Sequence, residues 1–253
     1  MKLITINTWQ GRLQRNLDAF IKDEQADLIC MQELCSAEEL TNNAAAWTQF
    51  ATLQTLQRSS SLEYNYFSPT NSYDLMGEEV GFGNGILSRQ PMSDVKTIFT
   101  CGEYHKVTAA NFVSNVRNAQ IVQILVGKDL VWVVNYHAHW EPNPKGTEAS
   151  LARMKKFATA LQNLSGPLIV VGDFNVTATS DSLRYLKEAL SIRSLTEESG
   201  IQSTMSNALT PWEVACDHIL VNDQIEVKSF SVDNRLVSDH KALIMEFETN
   251  VKT

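Results

Sequence analysis

The sequence has no stretch that would divide it into separate domains. It contains only six prolines and eleven glycines, and no linker rich in proline, glycine or serine interrupts the chain. Internal repeats and low-complexity segments are absent as well. With 43% hydrophobic residues the chain can bury a large core, and its length suits one large α/β domain. We therefore predict a single domain over residues 1–253.

A membrane span and a disulfide framework are also missing. No apolar run approaches the roughly 20 residues that a membrane helix needs, and Met1-Lys2 leads directly into a strand pattern without a hydrophobic signal segment. The four cysteines, at positions 30, 35, 101 and 216, form no Cys-x-x-Cys pair and have no regular spacing, which argues against disulfides and structural zinc. We expect a cytoplasmic monomer with no membrane partner.

Positive charge is in deficit. The chain has 21 Lys+Arg against 29 Asp+Glu, which gives a net charge of −8 at pH 7. A protein that coats nucleic acid without sequence preference needs a basic face, so this balance argues against that class. It does not exclude a nuclease, because a bound metal and a local basic groove can act within an acidic protein.

Hydrophobic periodicity predicts several helices. Leu13–Ile21 and Leu151–Leu161 repeat apolar residues at helical spacing, and another helix is predicted to begin near Ser180. A long helix is predicted to begin at Ser36 and to end at Ser59-Ser60-Ser61, because Ser36 with a glutamate three positions later resembles a capping box.

Two long loops are predicted from composition. Residues 69–85 are polar and carry four glycines, and residues 196–216 look irregular, with Pro211-Trp212 among them. A loop of such length inside a compact domain is usually functional. We therefore expect both loops near a site.

Six strand-like runs share one feature, a polar residue at one end that can bind a metal ion or a phosphate. Four runs lead into their polar residues and two leave them: Ile4–Ile6 into Asn7, Leu28–Met31 into Gln32-Glu33, Leu130–Val134 into Asn135-Tyr136-His137, Leu168–Val171 into Gly172-Asp173-Phe174-Asn175, Asp217-His218 into Ile219–Val221, and Ser238-Asp239-His240 into Leu243–Phe247. If the two sets pair antiparallel, all six polar ends meet at one rim. Carboxylates gathered there repel one another unless a cation neutralises them. This arrangement is typical of an active site.

In this order the motifs resemble the endonuclease/exonuclease/phosphatase superfamily of metal-dependent phosphoesterases. The resemblance extends over residues 5–240 and is carried by Thr5-Ile6-Asn7, Gln32-Glu33, Gly83-Asn84-Gly85-Ile86-Leu87-Ser88-Arg89, Asn135-Tyr136-His137, Gly172-Asp173-Phe174-Asn175, Asp217-His218-Ile219-Leu220 and Ser238-Asp239-His240. It implies an α/β (α+β) fold, a four-layer sandwich of two packed, mostly antiparallel β-sheets flanked by helices. It also implies a divalent-metal-dependent hydrolase of phosphate esters, a phosphodiesterase or phosphatase in which water attacks phosphorus. Periodicity alone predicts α/β or α+β and no more.

The resemblance assigns a metal role to three residues. Mg²⁺, or Mn²⁺ in its place, prefers oxygen ligands and often takes only one or two protein carboxylates. Glu33 is the best candidate ligand, with Asp239 and Asn7 supporting it. Asn84, between two glycines, matches a position that supports the site in many members, although a glycine-flanked turn residue is the alternative interpretation.

The remaining matches imply roles at the phosphoryl group. Asp173 would orient or deprotonate the attacking water, and Asn175 would hold a phosphoryl oxygen. His240, paired with Asp217, would polarise a phosphoryl oxygen or shuttle a proton. His137 would donate to the phosphate as negative charge grows. For the Asp-x-Asn and His–Asp pairs, an Asx turn and a self-satisfied buried pair are the structural alternatives.

Other interpretations are open at this point. His137 and His139 share a strand face and could bind zinc, but the residues that follow do not supply further ligands. Some nucleases of the family that this sequence resembles pair a loop glutamate with the histidine, so Glu78 or Glu79 could serve, but a solvated acidic loop is the preferred interpretation. A decayed phosphoesterase that only binds a partner is the rival from another class, and it would be expected to have lost some of the residues that this chain retains.

The substrate is expected to be a small or locally gripped phosphoester, with a nuclease acting on DNA or RNA as the alternative. The loops expected at the rim carry acidic residues that would repel a long polyanion. These are Asp74, Glu78, Glu79, Glu197 and Glu198.

Overall fold

The computed structural model describes residues 1–37, 52–75, 77–108 and 115–250. Their strands are β1 (Lys2–Asn7), β2 (Leu28–Ser36), β3 (Tyr64–Leu75), β4 (Glu78–Ser88), β5 (Met92–Cys101), β6 (His105–Lys106), β7 (Arg117–Val126), β8 (Asp129–His137), β9 (Leu168–Asp173), β10 (Arg193–Ser194), β11 (Asp217–Val221), β12 (Ile225–Val232) and β13 (Leu243–Thr249). The helices are α1 (Gln14–Glu24), α2 (Thr52–Ser60), α3 (Glu148–Leu161), α4 (Asp181–Leu190) and α5 (Leu195–Glu198), with a 3₁₀ turn at Trp9–Gly11. Over these ranges, no helix combines the length and the apolar character needed to cross a membrane.

The strands form two mixed sheets. The seven-stranded sheet has the order β12-β13-β1-β2-β4-β3-β6, and the six-stranded sheet has the order β10-β11-β9-β8-β7-β5. β1 pairs parallel with β2, β3 with β6, and β8 with β9, whereas the other strand pairs are antiparallel. Helices flank the sheets, which confirms the predicted sandwich.

The core lies in layers because side chains alternate along each strand. In β1, Leu3 joins the cluster between the sheets, whereas Ile4 and Ile6 pack with Leu17 and Phe20 of α1. The outer face of the six-stranded sheet packs against α3 and α4 in the same way. Strands buried on both faces read as continuous apolar runs, which is why the sequence indicated them without showing which face is which.

The predicted helices at Leu13–Ile21 and Leu151–Leu161 are present as α1 and α3. Ser180 caps α4 by accepting a hydrogen bond from the Leu183 amide at 3.1 Å, as expected of an N-cap serine. The start of the long helix predicted from residue 36 stays a prediction, because Ser36 is the last residue of β2 and an N-cap residue also has an extended backbone. The middle of this helix, residues 38–51, lies outside the described residues, and its end is present in α2.

The prediction of a polar loop over residues 69–85 is wrong. These residues form most of the β3–β4 hairpin. A Cβ at Gly83 would lie 2.2 Å from the Ser68 oxygen, so the glycine permits close strand pairing rather than marking a loop. In contrast, residues 199–216 contain neither helix nor strand apart from an isolated bridge at Met205, so that predicted loop is confirmed over most of its length.

Candidate active site

The polar strand ends meet at one rim, as the sequence predicts. Asn7, the last residue of β1, pairs in register with Gln32 inside β2, which continues to Ser36 instead of ending at Gln32-Glu33. Asp173 pairs with both His137 and Asp217. Asn7, His137 and Asp173 line a cleft of about 540 Å³, whereas Gln32 and Asp217 are not part of its lining. Its lining is Asn7, Glu33, Asn115, Arg117, His137, Trp140, Glu141, Pro142, Pro144, Asp173, Asn175, Met205, Leu209, Thr210, Trp212, Val214, Cys216, Asp239 and His240.

Glu33 reaches the cleft through an irregularity in β2. The β2–β4 register shifts between Met31 and Leu34, and Glu33 has φ of 51°. The Thr8 hydroxyl holds this backbone by donating to the carbonyl oxygen of Gln32 at 3.1 Å or of Glu33 at 2.9 Å. A bulge of this kind redirects a side chain, and here it lets the carboxylate join the cleft lining.

Asp173 is positioned by close packing between β8 and β9. Gly172 has φ of 135°, and a Cβ there would lie 1.9 Å from the Tyr136 carbonyl oxygen. The Asn7 amide donates to Oδ2 of Asp173 at 3.1 Å, and the Asn175 backbone N–H donates to Oδ1 at 2.9 Å. The carboxylate is therefore fixed by contacts from both sheets.

Two imidazoles face Asp173. His137 Nε2 is 3.6 Å and His240 Nε2 is 3.9 Å from Oδ2 of Asp173. Burial raises the pKa of Asp173 to about 7, against the lowering effect of His240. Burial lowers the pKa of His137 well below its usual value, and the charges of Arg117 and His240 lower it further. His137 is therefore a neutral imidazole at pH 7.

His240 and Asp217 form the predicted pair. His240 Nδ1 lies 2.9 Å from Oδ2 of Asp217, and the Thr204 hydroxyl donates to the same oxygen at 2.5 Å. Burial alone would lower the pKa of His240, but the charge and hydrogen bond of Asp217 raise it well above the usual value. With Nδ1 donating to Asp217, the Nε2 side of a cationic ring is left to face Asp173.

The oxygen donors in the cleft fit a hard divalent cation. Burial raises the pKa of both Glu33 and Asp239, and the charge of Asp239 raises that of Glu33 further, although Arg117 lowers it. The Asn7 side-chain oxygen accepts one bond, from the Trp9 amide at 3.0 Å, and retains a second lone pair. Two carboxylates that oppose each other's ionisation are stabilised by a cation, so these residues suit Mg²⁺ or Mn²⁺.

A second cluster of ligand-type side chains is less suitable for such an ion. Among the described His, Cys, Asp and Glu residues, Cys216, Asp217 and His240 have ligand atoms within 4.8 Å of one another. The thiol is a soft ligand, poorly matched to Mg²⁺, and Asp217 and His240 already bind each other. The oxygen donors Asn7, Glu33 and Asp239 are the better fit.

The other predicted residues are placed as follows. Asn175 lines the cleft with φ of 54°, and its side-chain amide donates to the Ala138 oxygen at 3.0 Å. Asn84 does not line the cleft; its amide donates to the side-chain oxygen of Asn118 at 2.8 Å between the sheets. His139 lines a separate small pocket beside Arg153, so it does not converge with His137 on a zinc site.

The expectation of an acidic rim is wrong. None of Asp74, Glu78, Glu79, Glu197 and Glu198 lines the cleft. Glu79 instead accepts from Ser72 at 2.6 Å on the β3–β4 hairpin. The rim residues that the sequence interpretation missed are mainly apolar, with Arg117 and Glu141 as the added charges. Only Trp212 had a signal, because it follows a proline within the loop already predicted to be functional.

Comparisons with known proteins identify the family and the fold. A sequence model of the Endonuclease/Exonuclease/phosphatase family matches residues 4–240. The endonuclease/exonuclease/phosphatase from Bacteroides vulgatus has a similar structure over 98% of this chain and 98% of its own, with 20% identity and a TM-score of 0.70. A comparison with curated proteins found no match.

Two further solved structures are similar in fold. The mannosyl-6-phosphatase of Bacteroides thetaiotaomicron VPI-5482 matches over 98% of this chain and 99% of its own, with 15% identity and a TM-score of 0.68. Humanized D. rerio TDP2 matches over 98% and 99%, with 14% identity and a TM-score of 0.62. At these identities the likeness shows a common fold.

Proposed function

Because the chain belongs to the endonuclease/exonuclease/phosphatase family, we propose that it is a divalent-metal-dependent hydrolase of phosphate esters that acts on a small or locally gripped substrate. One observation carries the proposal. A buried carboxylate, Asp173, is held by Asn7 and faced by His137 and His240 at 3.6 and 3.9 Å in a single cleft. An acid with a pKa near 7 between a neutral and a cationic imidazole is suited to proton transfer at neutral pH.

Each residue has a separate role in the proposed reaction. Asp173 orients a water molecule and accepts its proton as the water oxygen forms a bond to phosphorus. The ester P–O bond breaks on the opposite side, and the leaving oxygen takes the bonding electron pair and then a proton. The His240 imidazolium and the neutral His137 donate hydrogen bonds to the phosphoryl oxygens, where negative charge grows. Asp217 keeps His240 cationic and fixes its orientation.

A divalent cation completes the charge balance. Glu33, Asp239 and Asn7 are the residues that would hold it. When bound, Mg²⁺ or Mn²⁺ supplies positive charge that polarises the phosphoryl group.

An activity screen tests the proposal. Bis(p-nitrophenyl) phosphate, p-nitrophenyl phosphate, an inositol phosphate and plasmid DNA are incubated with the pure protein in Mg²⁺, in Mn²⁺ and in EDTA. We expect metal-dependent hydrolysis of at least one small ester and weak cleavage of plasmid at 150 mM salt, about physiological ionic strength. Asp173→Asn should lose the activity, whereas Asp223→Asn, an exposed aspartate outside the cleft, should retain it.

The same screen separates the rival functions. Efficient plasmid degradation that Asp239→Ala abolishes would favour a nuclease over a small-ester hydrolase. If no substrate is hydrolysed with either metal, the binding scaffold becomes the better hypothesis.

A further inference from the structure

Two tryptophans on the cleft are unusually exposed. Trp140 is 49% and Trp212 is 54% solvent-exposed, and both line the cleft that contains Asp173. Leu209, which is 38% exposed, lies on the same lining together with Pro142 and Pro144. Large apolar side chains left exposed together at a cleft indicate a binding surface. We call Trp140 and Trp212 the aromatic rim.

The chain around Trp140 is held in place by its neighbours. The next residue, Glu141, accepts a hydrogen bond from Arg153 at 2.9 Å and another from the Thr147 hydroxyl. The Pro144 carbonyl oxygen accepts from the Thr177 amide at 2.7 Å. An indole on an anchored loop loses little conformational freedom when a ligand stacks on it.

Trp212 belongs to the loop at 199–216, which makes backbone contacts with residues of the site. Met205 pairs with His240 through an isolated bridge, and the Ser206 amide donates to the Asp239 carbonyl oxygen at 2.7 Å. The Trp212 amide itself donates to the Thr210 hydroxyl at 3.2 Å. The aromatic rim is therefore continuous with the groups that would act on phosphorus.

Positive side chains around the cleft are few. Of the described lysines and arginines, Arg117 alone lines it. Its guanidinium is fixed by bonds of 3.0 Å to the carbonyl oxygens of Ala138 and Val116 and to the side chain of Asn115. One fixed guanidinium beside the His240 imidazolium suits one phosphoryl group, whereas a polyanion would require several cations along its length.

From this combination we propose that the aromatic rim stacks on a flat, uncharged heterocycle in the leaving group, so that the substrate class is a nucleoside-like ester with a single phosphate. The inference rests on the proposed function and makes its substrate specific. Indole faces stack on nucleobases, and such a contact contributes about tenfold or more in affinity for each base. A cleft of about 540 Å³ falls within the usual range for small-molecule sites.

The test compares substrates that differ only in the ring. Adenosine 5′-phosphate and ribose 5-phosphate release the same type of primary alkoxide, and their methyl esters form the matching diester pair. We expect kcat/KM to favour the adenosine compound by about tenfold or more in one of the pairs. Trp140→Leu and Trp212→Leu should each reduce that ratio, and together bring it close to one. Tyr64→Leu, an exposed aromatic outside the cleft lining, should leave it unchanged.

Binding is measured separately by calorimetry on Asp173→Asn with adenosine 5′-phosphate. We expect affinity to fall about tenfold when Trp212 is replaced in that background. If the activity screen succeeds but the ratio is near one in the unaltered protein, the inference is overturned while the proposed function stands. A tryptophan-dependent preference for hexose 6-phosphates over both pairs would overturn it too, since the ring would then be a sugar. If no ester is hydrolysed, the proposed function fails, and tryptophan-dependent binding would still support a stacking site.

Discussion

The two sheets bring different chemistry to the cleft. The seven-stranded sheet contributes the oxygen donors Asn7, Glu33 and Asp239, which suit a cation. The six-stranded sheet contributes His137 and Asp173, for which we propose roles at the phosphoryl group, and His240 joins them from the seven-stranded side, next to Asp239. Most of the oxygen donors and the Asp173–His137 pair therefore come from different sheets, and the Asn7 amide links the two groups by its hydrogen bond to Asp173.

The two sheets also differ in how a strand brings its carboxylate to the cleft. β2 uses a bulge with Glu33 in a left-handed conformation, held by Thr8. β9 uses a glycine, Gly172, that allows the neighbouring strand to approach closely before Asp173. The side chain at a bulge can adjust its position, whereas a backbone in close contact with the neighbouring strand cannot. The six-stranded sheet should therefore be the more sensitive of the two at its site end.

The largest expected effect tests that sensitivity. Gly172→Ala places a Cβ 1.9 Å from the Tyr136 carbonyl oxygen, and backbone must shift to relieve the clash. We expect a loss of more than about 4 kcal/mol in the free energy of unfolding, or no folded protein. Gly166→Ala is the matched control, because its φ of 102° is also positive but no atom lies within 4 Å of the added Cβ. It should cost about 1 kcal/mol. Equal losses in chemical denaturation would contradict the close-contact argument.

The second effect concerns the hydrogen-bonded pair of Asp217 and His240, which come from different sheets. Asp217 begins β11 of the six-stranded sheet, and His240 precedes β13 of the seven-stranded sheet. We expect His240→Ala and Asp217→Asn each to reduce kcat by about 10²-fold or more, and the double variant to be little worse than either one, because the two act as a unit. Steady-state kinetics on the best substrate of the screen measure this. Additive losses would show two independent roles, and a variant that keeps about half its activity would exclude that residue from catalysis.

The third effect concerns a buried histidine, His218, that does not line the cleft, unlike His137 and His240. His218 follows Asp217 in β11 but is buried away from the cleft lining, where Nε2 lies 2.9 Å from the Val176 carbonyl oxygen. Burial lowers its pKa from 6.5 to about 4. Between these values the unfolded chain binds a proton that the folded protein does not, so stability is lost as the pH falls from 6.5 to 4. The expected loss is about 3 kcal/mol.

The measurement is chemical denaturation at several pH values for the unaltered protein and for His218→Gln. Other buried groups also titrate, so the relevant quantity is the difference between the two proteins, which should shrink on acidification over that window. A constant difference would show that His218 keeps an ordinary pKa in the fold.

The smallest expected effect is stabilisation by a bound metal ion, which should depend on oxygen donors of the seven-stranded sheet and not on Asp173 of the six-stranded sheet. Millimolar Mg²⁺ or Mn²⁺ should stabilise the protein by about 2.7 kcal/mol at a hundredfold excess over Kd. Glu33→Gln or Asp239→Asn should abolish this stabilisation, whereas Asp173→Asn should retain most of it. Thermal melting with metal and with EDTA provides the test. Identical melting curves in both conditions would remove the proposed metal site.

The sequence alone determined the strand ends and their order. Asn7, Glu33, His137, Asp173 and Asp239 could be located because short apolar runs ended or began at polar residues, and the family resemblance gave those residues roles. The sandwich followed from the same resemblance. Helices with clear amphipathic spacing were predicted correctly for a local reason, since the periodicity of a helix is contained within a few turns of chain.

Only the tertiary structure decided what surrounds those strand ends. The described part of residues 69–85 was mistaken for a loop because pairing between β3 and β4 depends on backbone contacts that composition does not reveal. Arg117 was missed because a single arginine at the start of an ordinary strand has no local signal. Trp140 and Trp212 are 72 residues apart in sequence, and folding places both on one cleft. Residue type and spacing fix the chemistry available along the chain, but which distant side chains share a surface is set by long-range packing of the two sheets.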